Sequence, residues 1–246
     1  MKRITTIFSL LLAVSALADD RVFEMRIYTA GEGKLAALNS RFRDHTCKLF
    51  EKHGITNVGY WVPLDKKDGR LIYVVSYPSR TAREKSWKGF MADPKWKKVF
   101  AESRKDGPLV LKVESRFLNT TDYSPAIKPV KAKGGRVFEL RTYTTASGRL
   151  KNLHVRFRDH TCKIFESHDM TNVAYWVPMD KKQGADNTLV YLISHQSREQ
   201  AKKNWRGFIG DPAWKKTQAA SEADGKILAK RPQSVFLKSV DYSPIK

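Results

Sequence analysis

Arg21-Val22-Phe23-Glu24-Met25-Arg26-Ile27-Tyr28-Thr29 returns 115 residues later as Arg136-Val137-Phe138-Glu139-Leu140-Arg141-Thr142-Tyr143-Thr144. The segment alternates, with Phe23, Met25 and Ile27 on one face and Glu24, Arg26 and Tyr28 on the other, which predicts a β-strand. Its return predicts a duplicated domain. The same offset carries Arg41-Phe42-Arg43-Asp44-His45-Thr46-Cys47 to Arg156-Phe157-Arg158-Asp159-His160-Thr161-Cys162, and Tyr60-Trp61-Val62-Pro63 to Tyr175-Trp176-Val177-Pro178. After a slightly longer loop beyond Lys182, Asp93-Pro94 is answered by Asp211-Pro212, and Asp122-Tyr123-Ser124-Pro125 by Asp241-Tyr242-Ser243-Pro244. The copies therefore span residues 19–125 and 136–246, joined by a lysine-, proline- and glycine-bearing linker over 126–135.

Within one copy, apolar positions at helical spacing from Lys34 to His53 (Leu35, Leu38, Phe42, Leu49, Phe50) predict an amphipathic helix that stops at Gly54. Val58–Val62 and Leu71–Tyr77 read as a hairpin turning at Pro63 and Asp68-Gly69. Ser79 opens a second helix, Asp93-Pro94 restarts it as N-cap and first-turn proline, and Leu109–Leu118 supplies a last strand. The order β-α-β-β-α-β is the ferredoxin-like split unit, whose sheet carries helices on one face only. A fused second copy can cover the other face. The expected fold class is therefore α+β, with two such repeats packed sheet to sheet about a pseudo-twofold axis as a pseudo-dimeric α+β barrel.

The first eighteen residues read differently. Lys2 and Arg3 precede an apolar run from Ile7 to Leu17, and Ala16-Leu17-Ala18 offers small residues for a signal peptidase. The run is shorter than the roughly 20 residues a spanning helix needs. Export to the periplasm or beyond, with cleavage after Ala18, is the expectation, and no later segment reads as membrane-spanning.

The 246 residues carry a formal charge of +21, about +19 once Lys2 and Arg3 leave. Lysine and arginine gather at Lys95–Lys98, Lys202–Arg206 and Lys215-Lys216. Such a surface favours anionic polysaccharide, a lipid surface or an acidic protein as partner; in an exported chain nucleic acid is disfavoured. A solvated basic face without a specific partner is the alternative.

Phe-Glu-Leu-Arg-Thr-Tyr at 138–143, Phe-Arg-Asp-His-Thr at 42–46 and 157–161, Asn-Val-Gly-Tyr-Trp-Val-Pro at 57–63, and Trp87 followed by Phe90, Asp93, Pro94 and Trp96 together resemble the NIPSNAP family. They do so twice and in order, over nearly all of the chain after residue 18, so the protein resembles an exported, bacterial-type member with tandem domains. The resemblance implies the dimeric α+β barrel superfamily. It implies no catalytic residues: eukaryotic NIPSNAP proteins are discussed as interaction proteins, and barrel relatives range over cofactor-free monooxygenases, isomerases and heme enzymes.

The residues suggest their own candidates. Glu24, Arg26 and Tyr28, with Glu139, Arg141 and Tyr143, would set a carboxylate, a guanidinium and a phenol in a ligand pocket if their face lined the space between the sheets. The competing reading is that the charges neutralise each other. Arg41 with His45, and Arg156 with His160, share a helical stripe; each histidine is a candidate general base beside an arginine, or a helix-border residue bonded locally. His53 and His168 read as helix C-terminal caps, and the tryptophans as core. Histidine and cysteine spacings point to no metal, and no cofactor is expected. A binding module for a small or anionic ligand leads, with a cofactor-independent enzyme of monooxygenase or isomerase type as alternative. Cys47 and Cys162, at matching positions on helices expected on opposite sides, should be free and accessible thiols whose neighbouring arginines lower their pKa.

Overall fold

A computed structural model describes residues 21–130 and 135–246; the expected signal segment lies outside the described residues, as does the middle of the linker. Each repeat contributes four antiparallel strands. The first holds β1 (Val22–Ala30), β2 (Thr56–Pro63), β3 (Arg70–Tyr77) and β4 (Val110–Thr120), and the second β5 (Val137–Thr144), β6 (Thr171–Pro178), β7 (Thr188–His195) and β8 (Gln233–Ser239). Together they close into one barrel in the order β1-β3-β2-β8-β5-β7-β6-β4. Three residue pairs seal each seam, from Leu118 opposite Pro178 to Thr120 opposite Trp176, and from Trp61 opposite Ser239 to Pro63 opposite Leu237. The fold expected from the repeat is the fold observed.

Phe23, Met25, Ile72 and Val74 point into the barrel and meet Phe138, Leu140, Val190 and Leu192 from the other repeat. Trp61 and Trp176 fill its middle, each almost fully buried. A Cβ added at Gly59 would stand 2.1 Å from the Trp61 indole, so the ring lies flat on glycine backbone; the same placement is closed to Trp176, whose counterpart neighbour is Ala174.

Helices cover the outer face of each half. In the first repeat these are α1 (Leu35–Arg41), a π-helical turn (Phe42–Thr46), α2 (Cys47–Lys52), α3 (Arg80–Ala92) and α4 (Pro94–Glu102). The second repeat has α5 (Leu150–Arg156), a π turn (Phe157–Thr161), α6 (Cys162–Ser167), α7 (Arg198–Gly210) and α8 (Pro212–Ser221). Ser79 and Ser197 cap α3 and α7 by accepting the amides of Ala82 and Gln200 at 3.0 Å. Asp93 caps α4 through the Lys95 amide at 2.8 Å and also takes His53 Nε2 at 2.8 Å. His168 makes the same bond to Asp211 at 2.7 Å, so these histidines tie the end of one helix to the start of another rather than capping their own. The imidazole lies so close to α3 that a Cβ on Gly89 would be 2.9 Å from His53 Nδ1.

The Asp-Tyr-Ser-Pro motifs are reciprocal clasps. Tyr123, after the last strand of repeat 1, packs its ring at a tilt 5.4 Å from Tyr175 of repeat 2, while Asp122 takes Nε and Nη2 of Arg158 at 2.7 Å. Tyr242 returns the contact, 5.3 Å from Tyr60, with its hydroxyl donating to Asn39 at 2.8 Å and Asp241 receiving Arg43. Each tail thus docks on the repeat it does not belong to.

Cys47 and Cys162 are free. The expectation for their chemistry is corrected, because Cys47 packs against the apolar cluster of its repeat rather than turning away from it. Burial pushes its thiol up to about 12 and that of Cys162 up to about 11, hydrogen bonds with Tyr60 and Tyr175 offsetting only part of the rise. Ellman's reagent at mildly alkaline pH should modify both thiols roughly a hundredfold or more slowly in the native protein than in denaturant. Equal rates in the two states would contradict their placement.

Candidate functional site

The alternation of β1 correctly separates two faces, but the polar one is turned away from the barrel interior. Glu24, Arg26 and Tyr28 lie beneath the helices, and the space between the sheets is occupied by apolar side chains. The expected intersheet pocket is therefore corrected to a site between sheet and helices.

Glu24 is the hub of a polar cluster. Its carboxylate accepts Arg26, both Arg83 Nε and Nη2 at 3.1 Å, the Tyr77 hydroxyl at 3.0 Å, the Ser115 hydroxyl at 2.6 Å and the Trp87 indole at 3.3 Å. Burial alone would raise its pKa; the hydrogen bond from Arg83, the charge of Arg26 and the Ser115 hydroxyl outweigh that and hold it at about 2. Glu139 is likewise held at about 2, burial being overcome by His195, Arg141, Ser234 and Trp205. The carboxylates are thus satisfied by the protein, as the neutralising reading expected. They join strand β1 or β5 to helix and neighbouring strands.

Beside this hub the first repeat opens a cavity of about 320 Å³, walled by Tyr28, Phe42, Trp87, Phe90, Trp96, Phe100 and Val113, with Arg26, Arg41 and Arg104 as its charged groups. Arg26 is spoken for: it holds Glu24, donates to Tyr28 at 3.3 Å and lies 4.5 Å over the Trp87 ring. Arg41 is 6% exposed, yet its guanidinium has no carboxylate partner among the described residues; Nη1 donates to the Ser103 hydroxyl at 3.1 Å, and the group stacks over Trp96 and Phe100. Burial lowers its pKa, and Arg104 nearby pushes in the same direction, whereas Tyr28 and Tyr73 oppose. A cation left so poorly compensated in an apolar wall is costly unless an anion joins it.

The π turn explains how Arg41 reaches this position. It adds one residue to the turn, so Thr46 rather than His45 follows Arg41 around the helix, and the Thr46 hydroxyl bonds the Arg41 carbonyl at 3.1 Å. The 3.6-residue stripe that paired Arg41 with His45 is broken there. His45 stands exposed in an outer groove of about 1010 Å³ between the first helix and α4, together with Lys48, Lys52, Lys95 and Lys98. Arg41 borders both spaces.

The second repeat departs from the first. His160 is also exposed, and Tyr143 is buried in its cluster. Arg156 is 3% exposed, but its Nη1 meets Glu222 at 3.2 Å as well as Ser221 at 3.4 Å. Glu139 and Arg141 instead border a shallow basic groove with Arg198, Lys202, Arg206 and Arg231. No group of three or more His, Cys, Asp or Glu among the described residues could hold a metal ion. No helix among them is long and apolar enough to cross a membrane.

Sequence reading singled out Arg26, Tyr28 and Arg41 but missed Phe100, Arg104 and Val113, and took Trp87 and Trp96 for plain core. The available signal was disagreement between the copies, since Phe100 and Arg104 align with Gln218 and Glu222.

The architecture is shared widely. A candidate monooxygenase from Fusobacterium nucleatum superposes with a TM-score of 0.59 at 10% identity, over 92% of this chain and 94% of its own. Another from Lactobacillus acidophilus gives 0.56 at 12%, over 89% and 94%. An anthrone oxidase-like protein gives 0.53 at 12%, over 92% and 94%. At such identities the likeness is one of fold. Among curated proteins nothing matches. Residues 23–125 and 138–244 each match the NIPSNAP family, and the chain, a tandem pair of these domains closed into one barrel, belongs to it.

Proposed function

We propose that this is an exported binding module that takes a small organic ligand in the cavity between sheet and helices of its first repeat. The observation that carries the reading is Arg41, buried without a carboxylate partner in an aromatic-walled cavity of about 320 Å³. That volume suits a small molecule, and a few convergent polar groups in an apolar lining are the usual make-up of a ligand site. The leader-like residues 1–18 support export to the periplasm or outside the cell, and the basic outer groove supports attraction of anions to its mouth.

Enzymatic use of the same cavity is the second reading, favoured by fold neighbours described as candidate monooxygenases. Against acid–base catalysis there, the cavity is lined among the described residues by arginines and a phenol, with neither carboxylate nor imidazole, and His45 faces the outer groove. Val113 sits 49% exposed at the mouth, where a larger side chain can fill the opening from the surface. A chemically varied small-molecule screen by thermal shift should give compounds that stabilise the native protein but not Val113→Trp. A screen in which every hit binds both proteins equally would remove the reading.

A further inference from the structure

The two repeats are a built-in comparison. Both bury an arginine at the end of the first helix, Arg41 and Arg156, and both give its Nη1 a serine hydroxyl, Ser103 at 3.1 Å and Ser221 at 3.4 Å. They part at the next residue. In repeat 2 it is Glu222, whose carboxylate meets the arginine at 3.2 Å; in repeat 1 it is Arg104, a second cation, 5.0 Å over the Phe100 ring on which Arg41 also stacks. One copy holds its own carboxylate where the other carries the opposite charge and an aromatic platform, Phe100 in place of Gln218.

Resting on the binding reading above, we infer that the repeat 1 cavity takes an aromatic or flat apolar carboxylic acid, one per chain, and that repeat 2 has closed its copy with Glu222 in the place of that ligand's carboxylate. The acid group would lie between the Arg41 and Arg104 guanidinia, whose planar forks match a carboxylate. Its apolar body would stack among Tyr28, Trp87 and Trp96. The internal counterpart is a carboxylate, and the donors at the deep position are those of one guanidinium, because Ser103 accepts from Arg41 and gives its own proton to the Phe100 carbonyl at 3.0 Å. That set satisfies a singly charged planar anion better than a phosphate, which presents more charge and more acceptor oxygens. Lys48, Lys95 and Lys98 in the adjoining groove would steer such an anion inward.

The probes are phenylacetate, its neutral isostere phenylacetamide and inorganic phosphate, titrated calorimetrically into the full chain. Phenylacetate should bind at one site per chain, roughly tenfold or more tighter than phenylacetamide, the size expected for hydrogen bonds to a charged group. Arg104→Glu, which writes the arrangement of repeat 2 into repeat 1 at an exposed position, should abolish phenylacetate binding while leaving the circular dichroism spectrum unchanged. Arg41→Gln should do the same. Two sites per chain, undiminished binding by Arg104→Glu, or preference for phosphate would each overturn the inference. Equal binding of phenylacetate and phenylacetamide, lost for both in Val113→Trp, would overturn the acid specificity and leave the binding reading standing. Failure of every compound to sense Val113→Trp would take both away.

Discussion

Glu24→Ala should cost the protein about 3–5 kcal/mol, the range for removing one partner of a buried ion pair. The carboxylate is fully buried and Arg26 is 11% exposed, so the substitution leaves that guanidinium charged in an apolar wall while the Arg83, Tyr77 and Ser115 donors lose their acceptor and the Trp87 indole keeps only the Tyr77 hydroxyl at 2.8 Å. Glu139→Ala should behave alike in repeat 2, where Arg141, Trp205 and Ser234 are the groups abandoned. Urea unfolding measures both, and a loss below about 1 kcal/mol would show that water replaces the carboxylate at small cost. The same pair sets an acid limit. Each folded pKa, about 2, lies below the ordinary 4.5, so the stabilisation is fully present above 4.5 and disappears as pH falls through about 2. By linkage each carboxylate is worth about 3 kcal/mol, and the urea midpoint should fall steeply across that window in the native protein and less steeply in either variant.

Replacing Tyr123 and Tyr242 together by alanine should be the other severe change. Each ring is packed against a tyrosine of the opposite repeat, and each hydroxyl is bonded, Tyr123 with His154 Nδ1 at 2.9 Å and Tyr242 with Asn39 at 2.8 Å. Truncating a large packed aromatic costs about 3 kcal/mol, the lower end of the range because both rings are only partly enclosed. The seams between the repeats are three residue pairs each, so the clasps supply much of what holds the halves in one barrel. Unfolding of the double variant should therefore broaden or split into two transitions, whereas an unchanged single transition would show that the barrel closes without its tails.

Much of this architecture is legible in the sequence. Exact returns such as Arg-Phe-Arg-Asp-His-Thr-Cys exposed the duplication, strand alternation and Ser or Asp-Pro caps located the elements, and the unit order implied a sheet needing a cover. The site was less so, for physical reasons. A strand buried on both faces shows two faces by period but not which one meets the helices, so the sequence leaves open whether Glu24 and Arg26 face the barrel interior or, as the structure has them, the helices. A π turn has no composition of its own, and Phe42–Thr46 shifted every later residue of the helix by one place, carrying His45 outward and Thr46 inward. Arg104 looked like one more cation in a basic chain, and its meaning came only from the glutamate that stands at its place in the other repeat.

The fusion of two repeats into one barrel has a genetic consequence. A barrel assembled from two identical chains must repeat every substitution on both sides, so a change that seals one site seals the other and a change that opens one opens both. In a single chain the halves are separate stretches of gene. One stretch can carry Glu222 and serve as self-sufficient scaffold while its sister carries Arg104 beside an arginine without a carboxylate partner, dividing between them two demands that a symmetric pair would have to meet with a single sequence.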